Sequence, residues 1–332
     1  MSDPYLLAAS LLTTNPIAAP PPPTLPLDLL DNLSALFVST VARTLQSGVT
    51  QQTIPIVETS SPEFSVSPNR VQAATLTTHS QTFAKPQSPV LSPTSGTQLY
   101  YQRVAALKAG KIYTRLSSDS FQSSWAKSSK ALTKPTHEQW KYLLAQEAKA
   151  MAKGQGTNRL SILVGDSLTL WFPSQGLSNN QFWLNQGISG ENSTQILNRL
   201  SAFSQTRPNT IYLMAGTNDL RQGVSDRVIL DNTRQILRRL RQTHPQAQVI
   251  VQSILPMRLG AIPTERIRNL NQQIALIAQQ EGAGYLNLHS LFVDDEGQLR
   301  RDLTTDGIHL ASSGYDVWQQ GLQYAEFVIA AN

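Results

Sequence analysis

Four short polar clusters in the C-terminal half of the chain hold side chains able to do chemistry. Gly165-Asp166-Ser167-Leu168 begins on the last residue of the apolar run LSILVG. A serine hydroxyl between a strand and a helix can project into a cleft, and backbone N–H groups at a helix start favour nearby negative charge. The pair Asp166-Ser167 equally suits a plain helix cap. Thr305-Asp306-Gly307-Ile308-His309-Leu310 precedes the last helical stretch. An Asp three residues before a His in a tight loop can set a carboxylate against one ring nitrogen, which leaves the other free to take a serine proton. Alone, the same pair fits a metal site. A metal needs further ligands, though, and His289 and Asp294, the nearest candidates, are not spaced for it. The stretch Asn185-Gln186-Gly187-Ile188-Ser189-Gly190-Glu191-Asn192 has two glycines that permit sharp turning and close backbone approach. It also reads as an ordinary strand-to-helix loop. Ala215-Gly216-Thr217-Asn218-Asp219 offers the amide of Asn218, a residue type that commonly serves turns and caps.

These clusters need elements to position them. Five apolar runs read as buried strands: 160–165, 182–187, 210–216, 247–255 and 283–288. Helical spacings lie between them, at 194–203, 226–243 and 262–281, and 311–330 closes the chain. Strands alternating with helices imply a parallel sheet covered on both faces. In such sheets ligands bind beyond the carboxyl ends of the strands. Numbered in chain order, the first three clusters each follow a strand, and the fourth opens the last helix.

Upstream, two further regions are expected. Residues 1–96 hold PIAAPPPPTLPLD and a long Ser/Thr/Gln/Pro-rich stretch, and they bury too little apolar surface to offset the cost of ordering. Within them, residues 27–45 place Leu29, Leu30, Leu33, Leu36, Phe37, Val41 and Leu45 at helical spacing. Residues 97–156 read as a helical extension: one helix within 97–116, a Ser-rich link, and a second helix from Thr136 to Lys153. Trp140, Leu143, Leu144 and Ala148 form the inner face of the second helix. The region that holds the four clusters is then 157–332.

Charge is uneven. The chain of 332 residues carries +5 overall, with −2 in 1–96, +7 in 97–156 and 0 in 157–332. The basic middle segment therefore reads as a solvated surface, or as a contact for an anionic membrane surface or an acidic partner. Nucleic-acid binding is not expected, since helical packing accounts for Tyr100, Tyr101, Tyr113 and Trp140 more simply than base stacking. The absence of cysteine excludes disulfides, thiolate nucleophiles and zinc ribbons. No apolar run is long enough to span a bilayer. The start MSDPYLLAASLLTTNP lacks the basic residues of a secretory leader. The expectation is a cytoplasmic protein.

Taken in order, GDSL, NQGISGEN, GTND and DGIHL resemble the four sequence blocks of the SGNH (GDSL-like) hydrolase superfamily, over about residues 159–325. The resemblance implies a flavodoxin-like, doubly wound, five-stranded parallel sheet of order 2-1-3-4-5. It implies a serine esterase that needs no cofactor or metal and acts on small acyl esters, in the manner of lysophospholipases and thioesterases. A carbohydrate O-deacetylase is the nearest alternative. A partner- or membrane-binding scaffold with a dispensable hydrolase fold is an alternative of another class. By the resemblance, Ser167 is the nucleophile, His309 the base and Asp306 its orienting carboxylate. The oxyanion hole takes N–H groups from Ser167, Gly190 and Asn218, with Gly187 competing for the place of Gly190. Asp166, Leu168, Trp171 and Gly187 are candidates for the substrate pocket, Trp171 foremost.

Overall fold

The computed structural model describes residues 37–38, 93–116 and 132–331. In it the run LSILVG forms β1 (Leu160–Gly165), buried at every position. A strand buried on both faces has no need of alternation, which is why the run is continuously apolar. Four more parallel strands follow: β2 (Phe182–Gly187), β3 (Thr210–Leu213), β4 (Gln248–Gln252) and β5 (Gly284–Leu286). Their order is β2-β1-β3-β4-β5. This is the expected doubly wound arrangement.

Helices cover both faces. One core packs Ile162, Val164, Ile211 and Val251 against α4 (Ser193–Asn198), α6 (Asp226–Thr243) and α7 (Thr264–Gln280). In α6 the buried side chains Ile229, Ile236, Leu237 and Leu240 recur at helical spacing, while its arginines face outward. The opposite core packs Leu163, Tyr212 and Ile250 against α3 (Ser167–Leu170), α8 (His289–Phe292) and α9 (Ser312–Ala331). A short helix, α5 (Thr217–Arg221), follows β3.

The extension forms two helices, α1 (Gly96–Lys108) and α2 (His137–Gly154). The second starts with a reciprocal capping box between Thr136 and Gln139. The pair covers the β2 edge of the sheet. An edge strand presents unpaired backbone carbonyls that must find donors. Here Arg103 Nη2 donates to the Asn185 carbonyl at 2.8 Å, and the Thr114 hydroxyl donates to the Trp183 carbonyl two residues away. Arg103 is itself buried and ion-paired to Glu147. One of the basic residues of the extension is thus a structural pin, whereas Lys108, Lys111, Lys149 and Lys153 are exposed.

The helix expected across 27–45 lies outside the described residues except at Phe37–Val38. Those two residues form an edge strand antiparallel to β5, with Phe37 opposite Leu286 and Val38 opposite Tyr285. At these two positions strand replaces helix. Aromatic and β-branched residues suit an open sheet edge, and helical spacing carries no knowledge that such an edge is available. The low-order character expected of the rest of 1–92, and the Ser-rich link, fall outside the described residues. Among the described residues no helix is long and apolar enough to cross a membrane.

Candidate active site

The loop after β1 turns at once into α3, so Ser167 sits at the carboxyl edge of the sheet as the first helical residue. Asp166 caps this helix, accepting the Leu168 N–H at 3.0 Å. The Tyr315 hydroxyl of α9 donates to the Leu168 carbonyl at 3.0 Å and ties the short helix to the core.

Across the cleft, the segment before α9 folds into a tight loop around one carboxylate. Asp306 Oδ1 accepts the backbone N–H groups of Ile308 (2.9 Å) and His309 (2.7 Å), and Oδ2 lies 2.7 Å from His309 Nδ1. The other ring nitrogen, Nε2, lies 3.2 Å from Ser167 Oγ. Serine, histidine and aspartate therefore form one relay. Partial burial alone would raise the pKa of Asp306. The hydrogen bonds from the His309 ring and from the two backbone N–H groups outweigh it and hold the carboxyl below its ordinary value. A carboxylate fixed on Nδ1 leaves Nε2 able to receive the hydroxyl proton.

The two glycines of the second cluster have different fates. Gly187 ends β2 in close packing: a Cβ there would meet the Leu170 backbone N at 2.3 Å, and its N–H is taken by Asn185 Oδ1 at 2.9 Å. Gly190 stands in the open at φ +84, a left-handed conformation that suits glycine, with no atom near a would-be Cβ. Among the described residues, no protein acceptor takes the N–H of Ser167 or of Gly190.

Asn218, on the buried side of α5, donates from Nδ2 to the Glu191 carbonyl (3.0 Å) and to Asp166 Oδ2 (3.2 Å), while Arg221 donates to its Oδ1 at 2.9 Å. The structure thus brings Ser167, Gly190, Asn218, His309 and Asp306 to one end of the sheet. Asp219, the last residue of GTND, does a separate task. Its carboxylate accepts the N–H (2.8 Å) and hydroxyl (2.5 Å) of Ser193, clamping the start of α4 to α5.

The pocket candidates fare differently. Asp166 is 1% exposed and spends its carboxylate on Leu168 and Asn218. Burial, the largest influence, pushes its pKa up to about 7 against the pull of the Leu168 N–H and of His309. Leu168 is buried in the core on the α9 face, and Gly187 is packed on α3. Trp171 is half-buried and faces a cleft shared with Leu99, Gln102 and Tyr113 of the extension. Phe172 and Trp183 are core residues, in which Phe172 packs edge-on against Tyr315 and Trp318. Aromatic type alone does not separate packing from ligand contact.

Two residues of the site escaped sequence reasoning. Arg199 is buried and donates to Glu191 Oε2 at 2.5 Å, to the Gln186 carbonyl at 2.7 Å and to the Gly165 carbonyl at 3.1 Å. It joins the carboxyl ends of β1 and β2 to the loop that carries Glu191. His137, at the start of α2, places Nε2 at 2.8 Å from Glu191 Oε1. No local motif marks either residue, because both contacts join distant segments.

Residues 156–317 match the GDSL-like Lipase/Acylhydrolase family. Among curated protein sequences none matches the chain. Among solved structures, the chain is similar to one described as a candidate platelet activating factor from Streptococcus pneumonia. The identity is 24% and the TM-score 0.51, over 56% of this chain and 92% of that one. It is also similar to a GDSL-like lipase from Bacteroides thetaiotaomicron, with 22% identity and a TM-score of 0.49 over 56% and 96% of the two chains. At 24% identity the first of these likenesses speaks for the fold alone. With the sheet order, the four blocks and the match over 156–317 in agreement, this part of the chain belongs to the GDSL-like lipase/acylhydrolase family, in the SGNH hydrolase superfamily of ester hydrolases.

Proposed function

We propose that the chain is a serine esterase that hydrolyses acyl esters through an acyl-enzyme on Ser167. The carrying observation is the continuous relay from Ser167 Oγ through His309 to the Asp306 carboxylate, at 3.2 and 2.7 Å. The hydroxyl attacks the ester carbonyl carbon as Nε2 of His309 takes its proton. The carbonyl collapses back, the alcohol leaves with that proton, and a serine ester remains. Water, deprotonated by the same nitrogen, then releases the acid.

The developing oxyanion is met by the N–H groups of Ser167 and Gly190 and by the amide of Asn218. Gly190 is preferred to Gly187 because the Gly187 N–H is already engaged by Asn185, whereas the Gly190 N–H has no protein acceptor. One Asn218 N–H is committed to the Glu191 carbonyl. The other reaches Asp166 only at 3.2 Å, and an oxyanion competes for it.

The test is hydrolysis of p-nitrophenyl esters from two to twelve carbons by wild type and Ser167→Ala. Turnover that disappears in the variant supports the esterase, and the chain-length profile separates small-acyl from lipid-like substrates. Equal turnover by both proteins overturns the assignment of Ser167.

A further inference from the structure

Gly190 has no side chain to anchor it and lies exposed in its loop, so the direction of its N–H depends on its neighbours. Both neighbours are held by the extension. Ile188, two residues before, is buried among Leu99, Trp140, Leu143 and Leu144 of α1 and α2. Glu191, directly after, turns its side chain inward to 1% exposure and has one partner on each oxygen: Arg199 on Oε2 and His137 on Oε1. Its backbone carbonyl accepts the Asn218 amide. Glu191 therefore sits between two of the donors assigned to the oxyanion hole.

Arg199 belongs to the matched hydrolase segment. His137 does not, since that match begins at residue 156. Its place is set by the Thr136–Gln139 capping box, which puts it on the first turn of α2. A carboxylate oxygen accepts, so Nε2 of His137 carries the donated proton. Without it, Oε1 exchanges a fixed protein donor for mobile water, and the loop loses its tie to α2. The His137 side chain is itself 40% exposed, so its removal opens no core cavity.

We propose that His137 is a positioning residue: the N-terminal extension reaches through it to Glu191 and fixes the oxyanion-hole loop of the neighbouring hydrolase domain. The proposal rests on the esterase reading above. It gives the extension a task in catalysis besides covering the sheet edge.

The test compares wild type, His137→Ala, His137→Gln and the exposed same-helix control Lys149→Ala in the full chain. Turnover of a p-nitrophenyl ester is measured beside inhibition by an alkylboronic acid, whose serine adduct fills the oxyanion hole. His137→Ala is expected to lose about tenfold in kcat with KM changed less than twofold, since a hydrogen bond to a charged group is at stake. Boronate affinity should fall in parallel and thermal unfolding should stay near wild type. His137→Gln, which keeps an N–H donor, should recover most of both, and Lys149→Ala should lose neither. A His137→Ala enzyme with wild-type kcat and boronate affinity overturns the proposal alone. So does a loss that follows lowered thermal stability and is not rescued by Gln. A wild type without Ser167-dependent turnover overturns the esterase reading and this proposal together.

Discussion

The residue preceding the serine and the amide of the third cluster are bonded to each other: Asn218 Nδ2 donates to Asp166 Oδ2 at 3.2 Å, across 52 residues of sequence. Asp166 also caps the helix that carries Ser167. One buried carboxylate thus orients a donor to the expected oxyanion and the helix bearing the expected nucleophile. In this chain the Asp of the GDSL block is a joint between two loops.

Removing the amide tests its assignment. Asn218→Ala is expected to lower kcat on the order of 10²–10³ with substrate binding little changed, because the donor acts on charge that develops in the transition state. The Glu191 carbonyl also loses its partner. The control is the exposed Lys149→Ala on α2, which touches none of the assigned donors. Steady-state kinetics on the two variants decides: equal rates would remove Asn218 from the hole.

Asp306→Asn separates orientation from folding. The variant's side-chain oxygen can still accept the N–H groups of Ile308 and His309, which preserves the loop. Its amide N–H₂ then faces Nδ1 of His309, which favours the tautomer with the proton on Nε2, opposite the serine. A fall in kcat on the order of 10²–10⁴ is expected. Unfolding temperature should be nearly unchanged, and a variant that unfolds instead would show the carboxylate to be chiefly structural.

Asp166→Asn should leave a signature in stability against pH. Burial raises the folded pKa to about 7, above the unfolded value near 3.8. Between those values the folded protein holds a proton that the unfolded chain has released. The Asp166 contribution is therefore fully present below the unfolded value and is lost as pH rises toward and through 7. Asparagine does not titrate, so the melting temperature of wild type relative to the variant should decline from pH 4 to 7. A pH-independent difference would place the ionised form in the folded protein throughout. Activity should also drop by about tenfold, because two amide N–H₂ groups then oppose each other at residues 166 and 218.

The sheet and much of the site were legible because their signals are local. β1 and β2 show as apolar runs with the boundaries read from sequence, and α6 from its repeating Ile and Leu. Ser167, Asn218 and His309 lie where strand ends must bring them. Pocket residues were less legible. Leu168 lies within the four-residue α3 and Trp171 directly after it, yet one faces the core and the other a cleft, and that short helix is tied in place by Tyr315 from 147 residues away. His137 and Arg199 were invisible for the same reason: each matters through a partner that only folding supplies. Phe37–Val38 shows the converse, a local helical pattern overruled by an open sheet edge.

A second titration should run opposite to that of Asp166. His289 opens α8, donates its backbone N–H to the Ser253 hydroxyl at 2.7 Å and is 8% exposed. Burial first, and the nearby Arg268 second, lower its pKa to about 4. Its Nε2 has no protein partner among the described residues. The folded state therefore keeps the ring neutral while the unfolded chain binds a proton near pH 6.5. Stability is lost as pH falls from about 6.5 toward 4, because only the unfolded state gains the proton. His289→Leu keeps the backbone bond and removes the titration, so the variant should gain on wild type steadily across that window in thermal melts. Because His289 lies outside the Ser167–His309–Asp306 relay, esterase turnover at pH 7.5 should remain within about twofold of wild type, as for substitutions that touch no reacting group. A variant that loses stability equally at pH 5 and pH 7.5 would mean that the ring contributes packing alone.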